Sequence, residues 1–414
     1  MISSKSRIVF WNILLVLLFL RPFLSEYAFL TLGAQYNLLL ILCALIYFFI
    51  SGNKFAFSTY FDFLPVLFIA SALISMFFSG YTIWSLLELF FFFPNIMIFY
   101  IVSRISSKQI DNLIKILFIA SCIISIYAIY QYFIGIDATI EYLKRMGYGN
   151  KSHLAVLGRK RVFGTFVSPN IFASYLAMMV FTGLGLVTSC RKAERAAYIT
   201  GVLLAIAALI LTKSIGGFIA FIITFILFIV WSGRVTGFKQ PVLKYAGLGL
   251  VILSVIAFFI FSGSRVLQFA DLSNPNNSLV QRLYYWKASL SMIKDSPFFG
   301  IGWRKFGVLY EAFKPLSANT SHYSHNVFLQ ITAETGLLGA GIFLLMVIDF
   351  FKKGIKVIQD NNNSRQLLIG LYCAGCFFII HNLFDLSFYF AQVSFFWWIV
   401  LGVFANLSSK PECK

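Results

Sequence analysis

Apolar segments of roughly twenty residues recur along the whole chain, separated by short polar stretches. They fall near 8–24, 28–50, 60–79, 84–103, 110–134, 167–188, 195–212, 214–232, 243–263, 326–350, 367–386 and 389–406. A helix needs about 20 apolar residues to cross a bilayer, whereas a membrane barrel shows weaker segments with a period of two. The pattern therefore predicts an all-α polytopic membrane protein with about twelve transmembrane helices, forming a single integral membrane domain over residues 1–414.

Lysine and arginine are distributed unequally between the two sets of loops. One set carries Lys5, Arg7, Lys54, Arg104, Lys108, Arg191, Lys192, Arg195, Arg234, Lys239, Lys244, Lys352, Lys353, Lys356 and Arg365. The short loops of the other set carry almost only Lys213. Because basic short loops remain in the cytoplasm, we predict cytoplasmic termini and two long outer loops, residues 135–166 and 264–325.

Both long outer loops are basic as well. Their cations are Lys144, Arg145, Lys151, Arg159, Lys160 and Arg161 in the first loop and Arg265, Arg282, Lys287, Lys294, Arg304, Lys305 and Lys314 in the second. Cations gathered over a membrane cavity favour an anion, such as the phosphate of a lipid carrier; the alternative is contact with anionic headgroups of membrane lipid. The net charge of +18 would suggest nucleic acid for a soluble protein, but here much of it follows from topology, so we predict no nucleic-acid partner.

The second outer loop contains a predicted amphipathic helix over residues 279–293. Leu279, Leu283, Trp286 and Leu290 follow helical spacing, which is typical of a helix lying on a membrane surface. Arg282 lies beside this apolar stripe, where it could point into a cavity. Proline and glycine turns in residues 295–303 end the helix.

Residues 321–341 place polar side chains at the start of the apolar segment 326–350. Ser324 is the predicted N-cap, with the helix beginning just after it. Asn326, Gln330 and Glu334 are four apart and share one face, where polar groups require a protein interior or a water-filled cavity. A patch of small residues that would let another helix approach closely follows at Gly336, Gly339, Ala340 and Gly341.

Two histidines precede this helix. His325 is a candidate general base because an imidazole titrates near pH about 6.5; the alternative is a structural histidine at a membrane boundary. His322 either lines the same cavity or caps the loop. Glu334 is better suited to bonding across helices than to catalysis. No cluster with zinc spacing and no Asp-x-Asp on the outer loops is present, so we predict no catalytic metal.

Three stretches, in order, resemble the O-antigen ligase family of bacterial envelope glycosyltransferases. The first stretch is similar to the family signature, with Ala340 replacing a threonine. It consists of His325-Asn326, nine further residues, and then Gly336-Leu-Leu-Gly339-Ala340-Gly341. The run Arg161-Val-Phe-Gly-Thr-Phe-Val-Ser-Pro-Asn170 resembles a second element of the superfamily. The pattern of Arg282, Trp286, Pro297, Gly300 and Gly302 resembles the segment that precedes the histidine. Together they cover about residues 159–341.

The resemblance implies a GT-C-like membrane fold and a specific reaction. An undecaprenyl-diphosphate-linked polysaccharide would be transferred to a hydroxyl of lipid A-core, at the periplasmic face of the bacterial inner membrane. The family's reaction inverts the anomeric centre and needs no metal or cofactor. By this resemblance His325 takes the hydroxyl proton, Arg161 and Arg282 bind the donor diphosphate, and Asn326, His322 and Glu334 support the site.

One position departs from the family pattern. The family often has an arginine at the start of the eighth span that is implicated in holding the diphosphate, and here Ile215 occupies it. Lys213 lies two residues away and could supply a charge, without the bidentate fork of arginine. Two alternatives stay open: an O-antigen or exopolysaccharide polymerase of the same superfamily, and a transporter of a lipid-linked anionic substrate. A transporter usually shows internal repeats, and none is clear here.

Overall fold

The computed structural model describes most of the chain. The described residues are 4–25, 30–51, 60–80, 83–147, 154, 157–236, 241–275, 277–360 and 365–408. Lys54, Lys151 and Lys239, three cations of the predicted loops, lie outside them.

The elements that dominate the described residues are fifteen α-helices. They are α1 Ser4–Leu20, α2 Leu30–Ser51, α3 Tyr60–Ser79, α4 Ile83–Val102, α5 Ser107–Tyr130, α6 Ile136–Arg145, α7 Pro169–Ser189, α8 Lys192–Leu211, α9 Ile215–Thr236, α10 Pro241–Ala270, α11 Ser278–Asp295, α12 Phe306–Phe313, α13 Val327–Asp360, α14 Arg365–His381 and α15 Ala391–Ser408. Short 3-10 helices lie at Arg21–Phe23 and Ser387–Tyr389.

Within this part of the chain, eleven helical segments are long and apolar enough to cross a membrane. α14 is also apolar but has 17 residues, so the twelve predicted spans correspond to these eleven segments and α14. The predicted all-α polytopic membrane fold is confirmed.

The centre of the bundle is formed by α7, α14 and α15. In α7 and α15 the apolar stretches are 83% and 89% buried, against 17% in α10. Glycines allow α7 and α14 to approach closely, because a Cβ on Gly370 would lie 2.6 Å from the carbonyl oxygen of Phe181. The span Val251–Ala270 of α10 therefore lies at the periphery.

Two helical segments extend into the predicted outer loops. α5 continues through a π-helical turn, Gln131–Gly135, into α6, and α10 runs beyond residue 263 to Ala270. Asn277 then joins α10 to α11. Its Nδ2 donates to the carbonyls of Gln268, Phe269 and Asp271, while its Oδ1 accepts from the backbone N–H of Leu279. One side chain thus caps the end of one helix and the start of the next.

α11 is helical as predicted, but the face that packs on the protein differs from the predicted stripe. Gln281, Tyr285, Ala288 and Met292 are buried, and the last three pack in a cluster with residues of α12 and α13. Leu283 and Leu290 are 55% and 59% exposed. The apolar stripe is therefore partly open to the surroundings, and its contact with a membrane surface stays a prediction.

α13 is broken at Gly336, where the sequence predicted an uninterrupted span. Gly336 has φ 67° and ψ −172°. The break leaves backbone groups without partners in the helix, and these form hydrogen bonds with the turn at residues 297–302. Ile301 N–H donates to Ala333 O at 2.9 Å and Gly302 N–H donates to Glu334 O at 3.0 Å. In the other direction, Leu337 N–H donates to Pro297 O at 2.8 Å. Irregular backbone at membrane depth is tolerated where protein satisfies it in this way.

Glycines on both sides make this contact sterically possible. A Cβ on Gly336 would lie 2.1 Å from Phe298 O, and one on Gly300 would lie 2.5 Å from Glu334 O. The small-residue patch is confirmed as a close contact at Gly339, where a Cβ would meet Ser71 Oγ of α3 at 2.9 Å, but Gly341 has nothing within 4 Å.

Gly336→Ala should lower the apparent thermal unfolding midpoint of the purified protein in detergent. The backbone conformation at Gly336 costs a non-glycine residue on the order of 1–3 kcal/mol, before the clash with Phe298 is added. Gly341→Ala in the same helix is the matched control and should not lower the midpoint, because its Cβ enters open space. Equal midpoints for the two variants would contradict the role assigned to the break.

Candidate functional site

Several connections meet at one end of the bundle. They are the segment before α7, the turn between α8 and α9, the junction of α10 and α11, the segment before α13, and the loop after α14. Counting spans from the N-terminus puts all of them on one side. Between them lies a cavity of about 330 Å³, lined by Val167, Ser168, Asn170, Ile171, Tyr323, His325, Asp385, Leu386 and Phe390.

His325 sits in this cavity in a left-handed backbone conformation, with φ 54°. Its neighbours hold it there, since Ser324 N–H donates to Gln330 Oε1 at 2.6 Å and Ser324 Oγ donates to Asn326 O at 2.9 Å. The predicted N-cap at Ser324 is wrong. The cap is Asn326, whose Oδ1 accepts from Leu329 N–H at 3.0 Å, because the left-handed turn at His325 separates Ser324 from the helix.

A buried polar chain connects His325 to the break in α13. Gln330 Nε2 donates to Glu334 Oε1 at 2.7 Å, so these two residues share a face as predicted. Glu334 is fully buried and also accepts from the Tyr389 hydroxyl at 2.9 Å and from the Phe306 N–H at 3.3 Å. Glu334 therefore joins α12, α13 and the loop before α15, and through Gln330 it reaches the turn that presents His325.

Asp385 is the acidic neighbour of His325. Its Oδ1 lies 3.9 Å from His325 Nδ1, a charge contact that is longer than a hydrogen bond. The His325 side chain is 31% exposed and that of Asp385 5%. Burial lowers the pKa of His325 below its usual 6.5; Asp385 raises that pKa and Arg282 lowers it further. Burial raises the pKa of Asp385, but His381, His325 and Arg282 outweigh it, so the net pKa is lowered. At neutral pH the pair is a neutral imidazole beside a carboxylate.

Arg161 lies behind the cavity wall. Its Nε donates to Thr212 O at 2.9 Å and its Nη2 to Asn170 Oδ1 at 2.7 Å. A guanidinium has five N–H donors, so these bonds orient the group and leave others for a ligand. Burial, with the nearby Arg265, lowers the pKa of Arg161 to about 9, which keeps it a cation at neutral pH.

Lys213 occupies the tight turn between α8 and α9, with φ 51°. Its Nζ donates to Arg159 O at 3.3 Å and lies 5.5 Å from the centre of the Tyr132 ring. Burial and the neighbouring Arg161 lower its pKa. Lys213 thus belongs to the basic cluster, although its ammonium is already used in a contact with the protein.

Arg282 reaches the cluster from the second turn of α11. Its Nε is buried and has no hydrogen-bond partner among the described residues. It lies near enough to His325, Asp385 and Arg161 to shift the pKa of each. A buried guanidinium nitrogen without a partner is costly, and an anion in the cavity would supply one.

His322 is not brought into the cavity. It is exposed and packs against α12, where a Cβ on Gly307 would lie 2.8 Å from His322 Nδ1. Of the two histidines, the structure therefore favours His325 as the functional group.

Three residues beside the cavity were not assigned to it from the sequence. Sequence patterns gave Asp385 no role, Asn170 only a place within a family-like motif, and Arg265 only a place among the loop cations. Their positions along the chain could have indicated this, because each lies at the end of a span on the same side as His325. In the described part of the chain, no three His, Cys, Asp or Glu side chains come together as metal ligands.

The fold and site together define a polytopic membrane protein with a histidine-bearing cavity at one end and a cluster of basic residues beside it. Residues 200–344 match the family model described as O-Antigen ligase. A segment of 106 residues is 24% identical to the "Exopolysaccharide production protein ExoQ" of Rhizobium meliloti (strain 1021), covering 23% of this chain and 24% of that protein. The match thus spans about a quarter of that relative's length. Both matches confirm the resemblance to the O-antigen ligase/polymerase family that the motifs indicated.

The fall in rate on the acid side of the pH–rate profile should reflect protonation of His325. A base must be neutral to accept a proton, so activity should hold above the lowered pKa of His325 and fall as the pH drops through it. Asp385→Asn removes the one charge that raises this pKa and should move this acid-side fall to lower pH. The rate should also fall, because unit charges about 4 Å apart interact by about 1 to 4 kcal/mol, or roughly 5- to 10³-fold.

The measurement is kcat/KM against pH for wild type and Asp385→Asn with a carrier-linked donor. Asparagine keeps the acceptor oxygen that Leu386 N–H uses, so the loop is preserved. An acid-side fall that stays in place or moves to higher pH would contradict the assignment.

Proposed function

We propose that this protein is an O-antigen ligase-type glycosyltransferase. It transfers a polysaccharide from an undecaprenyl-diphosphate carrier to a hydroxyl of lipid A-core. The observation that carries the proposal is a cavity that holds a neutral histidine beside a carboxylate, with a cluster of arginines next to it. That set combines a proton acceptor with groups that stabilise a departing phosphate.

The donor is assigned from the chemistry of the cluster and the membrane setting. A glycosyl transfer outside the cytoplasm requires a donor that carries its own leaving group, and a lipid-linked diphosphate provides one. Arg161, Arg282 and Lys213 bring positive charge to the cavity, and Arg161 is already oriented by Thr212 and Asn170. Arginine forks match phosphate oxygens with two parallel hydrogen bonds.

In the proposed reaction the acceptor hydroxyl attacks the anomeric carbon of the donor. His325 Nδ1 is buried beside Asp385, which leaves Nε2 to take the hydroxyl proton. As the new carbon–oxygen bond forms, the bond to the diphosphate breaks and the diphosphate leaves with its electron pair. Asp385 stabilises the imidazolium, and the arginines offset charge on the leaving group. A positioned base contributes roughly 10²–10⁴ in rate; attack opposite the leaving group inverts the anomeric centre.

The setting of the reaction is part of the proposal. The charge bias of the short loops and the family resemblance support a protein of the bacterial inner membrane whose His325 end faces the periplasm. The reaction uses no metal or cofactor, because the arginines carry out the charge stabilisation that a divalent ion supplies elsewhere.

A polymerase that joins lipid-linked repeat units is the second candidate. It uses the same donor and the same cavity and differs in the acceptor. Two observations favour it: the relative named as an exopolysaccharide production protein, and Ile215 in place of the family arginine. The transporter hypothesis fits less well, since a transporter does not need a base and a carboxylate beside its anion site.

Deletion of the gene in its native host, followed by gel analysis of lipopolysaccharide, tests the proposal. The ligase predicts loss of all polymer attached to the core while carrier-linked polymer persists, with restoration by wild type and no restoration by His325→Ala. Core that carries a single repeat unit would instead show the polymerase. Unchanged lipopolysaccharide together with normal exopolysaccharide would refute both assignments.

A further inference from the structure

We propose that Arg265 is a further anion-binding residue of this site, supplying the guanidinium that Ile215 does not provide. This inference rests on the proposed function, because it assigns one more contact to the same diphosphate. It adds a residue outside the three motifs and on a different helix, α10.

The position of Arg265 carries the argument. Its Nε donates to the carbonyl oxygen of Lys213 at 3.1 Å. That carbonyl belongs to the turn that immediately precedes Ile215 at the start of α9. This bond ties the guanidinium of Arg265, from α10, to the turn that leads into α9. One of its five donors is used in this bond, which leaves others for an anion.

The surrounding charges support the same conclusion. Arg265 lies close enough to Arg161 and Lys213 to lower the pKa of both. Arg161, Lys213, Arg265 and Arg282 thus form one cluster, with Asp385 as its acidic member. Four cations near one carboxylate repel one another, and an anion with two phosphate groups would offset that repulsion.

The structure also fixes Arg265 in place, although α10 is the least buried of the long spans. Phe258 stacks on Phe218 of α9 with ring centres 4.1 Å apart, and Asn277 caps the end of α10 just beyond Arg265. The outer end of this peripheral helix is therefore held by contacts on both sides of the arginine. This arrangement restricts the guanidinium to the turn at Lys213.

Binding of inorganic pyrophosphate to the full-length protein in a neutral detergent tests the inference without requiring glycosyl transfer. Isothermal titration would compare wild type, Arg265→Gln, Arg282→Gln and Lys287→Gln. Lys287 is exposed on α11, so its variant removes a positive charge from the same end of the protein without touching the cluster. Absence of lipid separates pyrophosphate binding from contact with lipid headgroups.

Arg265→Gln should weaken pyrophosphate binding by roughly 10- to 150-fold, the scale of a lost hydrogen bond to a charged group. Arg265→Lys should recover only part of the loss, because lysine lacks the fork. Lys287→Gln should bind as wild type does.

The outcomes separate the two proposals. Wild-type affinity in Arg265→Gln, with weakened affinity in Arg282→Gln, would overturn the role of Arg265 and leave the proposed function standing. A lower unfolding midpoint in Arg265→Gln with unchanged pyrophosphate affinity would likewise overturn the role of Arg265. That result would show that Arg265 stabilises the fold and does not bind the anion. No pyrophosphate binding by wild type would overturn both proposals.

Discussion

The backbone contact between the break in α13 and the turn at residues 297–302 is the constraint on which the site depends. Gly336 interrupts the helix, and the N–H groups of Ile301 and Gly302 bond to the carbonyls of Ala333 and Glu334. That contact fixes the turn that follows α11, the helix that carries Arg282. On the other side, Glu334 holds Gln330, and Gln330 holds the backbone that presents His325. One contact thus relates His325, the proposed base, to Arg282 of the proposed anion site.

The electrostatics of the cavity follow from this arrangement. A histidine near several cations is held neutral by burial and by Arg282, while Asp385 nearby stays ionised. The same cations would attract a phosphate-bearing donor. In the proposed reaction, proton acceptance and leaving-group stabilisation are compatible at one site, because each is assigned to a different member of the cluster.

Much of this organisation could be predicted from the sequence, and the exceptions have physical causes. Hydrophobic segments predicted the helices. Counting these segments from the N-terminus predicted that Arg161, Lys213, Arg282 and His325 lie on one side of the membrane. Sequence patterns could not show that Gly336 breaks a span, because an apolar segment with a glycine also fits a straight helix. The pairing of His325 with Asp385 arises from packing between residues sixty apart, which no local pattern encodes. The cap shifted from Ser324 to Asn326 for a similar reason, since the left-handed turn at His325 depends on Gln330.

The most direct test of the account is to compare His325→Ala with Arg282→Ala for transfer rate and donor affinity, in excess EDTA. Both purified variants must first be shown to fold in detergent, and His322→Ala serves as the matched histidine control. The account predicts that His325→Ala lowers the transfer rate by roughly 10²–10⁴ with donor affinity largely retained, that Arg282→Ala lowers both, and that His322→Ala is mild. Near-normal turnover in a folded His325→Ala protein would contradict the account and return His325 to a structural role.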